Sequence, residues 1–181
     1  GNLIDTDWYD FVYRTGFSHN HNVNVAGAND KTSYYLSAGY TSQEGMLIGN
    51  DFRRLSTRLN LDHKVNNWLT LAGMFNYTNS KNISPNSGSL PGQAFGIAGL
   101  GRLPLVLAPN VAPYNADGSY NINTSSNTVG QGNNLTALSF YNPAYILKEN
   151  KFNSDNDRIL ANVSAQIRLM RGLTFRSNYG I

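Results

Sequence analysis

The chain has 181 residues, 40% hydrophobic and only 14% charged, with 14 basic against 11 acidic side chains and no cysteine. That charge content lies well below the roughly 25% of soluble domains. The missing cysteines exclude disulfide frameworks and thiolate metal sites, and a scattered net charge of +3 is too mild to argue for nucleic acid.

The greasiest window, Leu103 to Ala108, is interrupted by Pro104, so nothing approaches the roughly 20 apolar residues of a membrane helix. Residues 1–18 are irregular. Asp5-Thr6-Asp7-Trp8 is set to open a short helical turn capped by Asp5 or Thr6. Gly1 is followed at once by Asn2 and Asp5, with no secretory signal, so the expectation is a processed chain or an internal piece of a larger one.

From His19 the residues alternate with period two, the signature of strands. Val23 and Val25 oppose Asn20, Asn22 and Asn24. After a turn at 28–31, Tyr34, Leu36, Ala38 and Tyr40 oppose Ser33, Tyr35, Ser37, Gly39 and Thr41. Leu55, Leu59 and Leu61 then oppose Arg54, Arg58, Asn60 and Asp62. A turn at 64–67 leads to a fourth strand, Trp68 to Asn79, with Leu69, Leu71, Phe75 and Tyr77 on its apolar side. The pattern stops from 80 to about 157, a stretch rich in Gly, Asn, Ser and Pro. Within it, Tyr114 to Tyr120 reads as a hairpin turned at Asp117-Gly118, and Leu138 to Glu149 as a helical turn. Alternation resumes at Ile159, with Val163 and Ile167 against Asn162, Gln166 and Arg168. Met170-Arg171-Gly172 turns the chain into a last strand with Leu173, Phe175 and Tyr179 on one side.

The polar faces discriminate best between classes. Arginines with no apolar neighbour on their face suit a water-filled lumen and would be costly inside a soluble sandwich. Short turns near 29, 65 and 171 against long connections elsewhere match outer-membrane barrels. Six strands cannot close a pore, since the smallest membrane barrels use about eight. The fold class expected is therefore all-β: an antiparallel transmembrane barrel segment with one long extracellular loop. A soluble carbohydrate-binding β-sandwich and a passive porin or adhesin remain open.

A resemblance adds to this. Thr6-Asp7-Trp8-Tyr9-Asp10-Phe11-Val12-Tyr13-Arg14-Thr15-Gly16, then His19 to Gly27, resembles the plug-to-barrel signature of SusC-like TonB-dependent outer-membrane transporters. Thr32-Ser33-Tyr34-Tyr35, Gly39-Tyr40, Gln43-Glu44-Gly45, Asn60-Leu61-Asp62, Asp117-Gly118-Ser119-Tyr120 and Tyr141-Asn142-Pro143 continue it. The resemblance implies about six strands of a 22-strand barrel in the outer membrane of a Gram-negative bacterium. It implies an importer of glycans, oligosaccharides or peptides, energised through the TonB complex and paired with a SusD-like surface lipoprotein. The TonB-contacting parts are absent from this chain.

The expected organisation is a connecting segment at 1–18, four strands over 19–79, an extracellular loop over 80–157 and two strands over 158–181. Lumen-facing candidates are Asn22, Asn24, Arg54, Arg58, Asn60, Asn162, Gln166 and Arg168. Loop candidates for substrate or partner contact are Tyr114, Asp117, Tyr120 and Tyr141. The apolar faces are expected to meet outer-membrane lipid. His19 and His21 lack a third ligand, and Asp5, Asp7 and Asp10 lack EF-hand spacing. No catalytic motif appears, so neither enzyme activity, cofactor, metal nor nucleic-acid partner is expected.

Overall fold

The computed structural model describes residues 4–85, 99–122, 128–129, 136–137, 142–150 and 152–181. It divides into two compact units, one built from residues 18–42, 52–81 and 154–181, the other from 1–17, 43–51 and 82–153.

The first unit is carried by a six-stranded sheet in the order β1-β2-β3-β4-β7-β8, so β1 and β8 form its edges. The strands are β1 (Ser18–Ala28), β2 (Thr32–Glu44), β3 (Asp51–Lys64), β4 (Leu69–Ser84), β7 (Phe152–Met170) and β8 (Leu173–Gly180). The two turns at 29–31 and 65–68 use one device. Asn29 Oδ1 accepts from the N–H groups of Lys31 and Thr32, and Asn66 Oδ1 from those of Trp68 and Leu69. A side-chain carbonyl that occupies two turn amides makes these Asn-led reversals cheap. The third turn uses Gly172 at φ +85°, a conformation open to glycine.

Antiparallel register keeps the alternating faces continuous across the sheet. Val163 lies opposite Tyr179 and Ile167 opposite Phe175, while Gln166 lies opposite Arg176. Further along, Tyr77 and Asn79 bond Asp157 and Asp155. On one face Tyr34 lies over Gly27; on the other, Gly39 sits between Asn22 and Ser56. Val23, Val25, Leu36, Leu59, Leu71 and Val163 are all exposed. An unpartnered sheet face of this kind is a surface built to meet something apolar.

The strands outrun the apolar alternation. β4 reaches Ser84 and β7 begins at Phe152, so the insertion between them is shorter than the 80–157 expected. The backbone ladder needs no apolar side chain, and polar pairs stitch these extensions: Lys81 Nζ lies 3.0 Å from Asp155, and Asn79 Nδ2 donates to Asp157 at 2.9 Å.

The second unit holds the buried hydrophobic side chains of the described residues. Trp8, Val12, Leu100, Leu103, Leu107, Val111 and Ile146 form one cluster. Helix α1 (Trp8–Val12) is capped by Asp7, whose side chain accepts from Tyr9 and Asp10 N–H groups, so the cap is neither Asp5 nor Thr6. Asp7 wins because it stands immediately before the first helical residue. Helix α2 (Leu103–Val106) carries Pro104 in its first turn, where a missing N–H costs nothing. Trp8 Nε1 donates to Ala108 O at 3.0 Å and Thr6 Oγ1 to Val111 O at 2.8 Å. The segment that reads as irregular is thus anchored by its own core. Helix α3 (Pro143–Glu149) lies inside the window expected to hold a helical turn, and β5 (Thr128–Val129) pairs with β6 (Thr136–Ala137).

Candidate functional site

Two surfaces gather the residues singled out by the sequence. The first is the polar face of the sheet. Register puts Asn22, Asn24, Arg54, Arg58, Asn60, Asn162, Gln166 and Arg168 on that one face, because each alternates with an apolar neighbour and strands in register share faces. Arg58 Nε donates to Asn60 Oδ1 at 3.3 Å and Arg176 Nη2 to Gln166 Oε1 at 2.6 Å. Two further arginines join them: Arg158, one residue before the alternation resumes at Ile159, and Arg176, opposite Gln166. Both follow from parity once the strand limits are known. The ion pairs recorded among the described residues are Arg14–Asp51 and Lys81–Asp155, so none of these face arginines has an acidic partner there.

The second surface is the hairpin at 114–120 with α3. Tyr114 and Tyr120 form an antiparallel bridge around Gly118 at φ +83°, as the Asp-Gly pair requires. Asp117 lies at the tip, and hydrogen bonds from the Ser119 hydroxyl and N–H hold its carboxyl below the ordinary carboxylate range. The Tyr120 ring lies 5.8 Å from Tyr114 and 5.5 Å, edge on, from Tyr145. Lys148 Nζ stands 6.0 Å over the Tyr120 ring. Tyr114 and Tyr145 stay exposed, so the cluster is part packing and part open aromatic surface.

Asn142 explains why this cluster holds its shape. Its Oδ1 caps α3 through Ala144 N–H, while its Nδ2 donates to the carbonyls of Pro113 and Asn121, at the foot of the hairpin. The neighbouring candidate Tyr141 lies outside the described residues. Sequence spacing gave no hint that Tyr145 and Lys148 belong with Tyr120, because the helix that carries them arrives from a distant segment.

The Tyr13-Arg14-Thr15-Gly16 and Gln43-Glu44-Gly45 motifs also meet. Arg14 pairs with Asp51 at 2.6 Å and donates from Nε to Gly45 O at 3.3 Å. Gly16 packs on the Glu44 carbonyl so closely that any Cβ there would collide with it. His19 and His21 have ring centroids 5.1 Å apart, and among the described residues no group of three His, Asp or Glu is arranged to hold a metal ion.

No protein-family model matches the chain. It is 26% identical over 179 residues, 97% of its length, to TonB-dependent receptor P3 of Formosa agariphila. It is 30% identical over 130 residues, 68% of its length, to TonB-dependent receptor SusC of Bacteroides thetaiotaomicron. The chain spans 16% and 12% of those two proteins. Among solved structures, the RagAB peptide transporter matches 97% of this chain and 18% of its own, with TM-score 0.65 at 24% identity, a likeness of fold.

Proposed function

We propose, from the premise that this chain is a SusC-like segment of a TonB-dependent receptor, that it forms barrel wall and extracellular loop in an outer-membrane importer. The observation that carries this reading is the sheet itself. It has one apolar face exposed to its surroundings and one polar, arginine-bearing face. Lipid covers the first and water fills the space before the second. A sandwich would need a second sheet over the apolar face, and the described residues of this unit contain none. Strands of 13 to 19 residues in β2, β3, β4 and β7 exceed the roughly 9–11 needed to cross a bilayer, so their polar ends stand clear of it. The segments joined to those ends lie outside the cell. The eight lumen-facing candidates then line the route.

The complete receptor takes up oligosaccharides or peptides with energy from TonB and works with a SusD-like lipoprotein. The tyrosines of the 114–120 hairpin are the loop contacts for substrate or for that lipoprotein. The test uses the source bacterium. Deleting the complete gene, or the TonB gene, should abolish uptake of at least one oligosaccharide or peptide pool. Excising the hairpin should leave the receptor in the outer membrane but weaken uptake. Unchanged uptake in the gene deletion would overturn the reading.

A further inference from the structure

The polar face of the sheet is not uniform. Away from the three short turns runs a band, over residues 20–24 of β1, 37–41 of β2, 54–58 of β3, 76–80 of β4 and 154–158 of β7, in which parity leaves only Arg, Asn, Ser, Thr and Gly39 on this face; beyond it, at the far strand ends, Phe52 and Phe152 share the same parity. Toward the turns it changes: Tyr35, Met74 and Leu160 appear, with Asp62 as an acidic group. This band therefore carries three arginines, no acid and no apolar side chain. All three arginines are exposed, and no acid pairs with them among the described residues.

Geometry limits what they receive. Arg58 and Arg158 stand on strands separated only by β4, hence about 10 Å apart at the backbone. Arg54 lies four residues from Arg58 along β3, about 13 Å. One carboxylate cannot serve all three. A permanent protein interface carries an apolar, often aromatic core, and this band has none; its nearest phenylalanines, Phe52 and Phe152, stand beyond its far rim. It offers forked guanidinium donors, suited to carboxylate and sulfate oxygens, on a floor of short amides and hydroxyls suited to sugar hydroxyls.

We infer that this band of the face is a transit site for an anionic oligosaccharide, one bearing carboxylate or sulfate groups on several of its sugars. The inference rests on the importer reading above and names its substrate class.

The test uses the complete receptor, purified in detergent, and acidic pools (oligogalacturonates, alginate oligomers, heparin oligomers) beside neutral maltodextrins of matched length. Calorimetry should find at least one acidic pool bound more tightly than the neutral one, with affinity falling as salt rises. R58Q and R158Q should each weaken that binding about tenfold, the loss of one charge-assisted hydrogen bond, and leave the melting temperature unchanged. R58K should recover part of it. Acidic pools bound no better than neutral ones would overturn the assignment. So would R58Q and R158Q variants that melt early and lose every substrate equally, the result expected if an acidic segment of the same polypeptide occupied the face. Failure of the importer reading is separate: it appears as TonB-independent uptake in cells, whatever the calorimetry finds.

Discussion

The two units solve the burial problem in opposite ways. The unit that contains α1, α2 and α3 hides Trp8, Val12, Leu100 and Leu103 from solvent. The sheet unit leaves Val23, Val25, Leu36, Leu59 and Val163 exposed. The first carries its own core and gains from the usual aqueous burial. The second holds together by its backbone ladder and side-chain pairs, and leaves its apolar face open to its surroundings. The same amino-acid types therefore have different energetic meaning in the two regions.

That contrast can be broken by substitution. The largest expected effect is in the core of the helical unit. Trp8→Ala should cost this unit about 3–5 kcal/mol, because the ring is buried and its Nε1 holds Ala108 O. Hydrogen exchange on the complete receptor should show the amides of 100–111 losing protection while the sheet keeps its own. Equal loss in both regions would show that the units are not energetically separate.

On the sheet, Leu59→Arg should cost ~2–4 kcal/mol in a bilayer, and much less in a water-exposed sheet, where position 59 is open already. Unfolding of the complete receptor in lipid vesicles measures this; a negligible cost there would remove lipid from the apolar face.

The smallest effect concerns Asp117. Its folded carboxyl is held below the ordinary range, so its contribution to the hairpin is present above the unfolded value, about 3.9. It is lost as pH falls through the lower folded value. Pepsin cutting at 114–120 should rise only in that acid window, and Asp117→Asn should flatten the dependence. A rise near neutral pH would point to another group.

Six strands were legible because period-two alternation over many residues is a strong signal. Their ends were not, since Lys81, Asp155 and Asp157 continue the ladder with polar side chains that look like loop. The core of the helical unit was illegible for a different reason. Its members come from three short stretches, around 8–12, 100–111 and 144–146, none long enough to display a period. The polar face was readable up to Arg168; Arg158 and Arg176 needed the strand limits and the pairing. At the loop, the hairpin was visible in Asp117-Gly118, but the α3 residues that brace it were not.

The glycines of β1 and β2 bear on how two such strands find their alignment. Alternation forbids a slip by one residue, since it would turn every side chain to the wrong face. It says nothing against a slip by two, which preserves both faces. Shape must exclude that. A Cβ at Gly27 would come within 2.6 Å of the Tyr34 ring, and one at Gly39 within 2.6 Å of Asn22 Oδ1. A slip by two residues brings Val25 or Asn29 under the tyrosine in place of Gly27, and Asn20 or Asn24 against Gly39 in place of Asn22. The tyrosine has room only over the glycine, so the Gly27 notch acts as a key that admits a single alignment, while the Gly39 notch, facing asparagine at 20, 22 or 24 alike, does not choose among them.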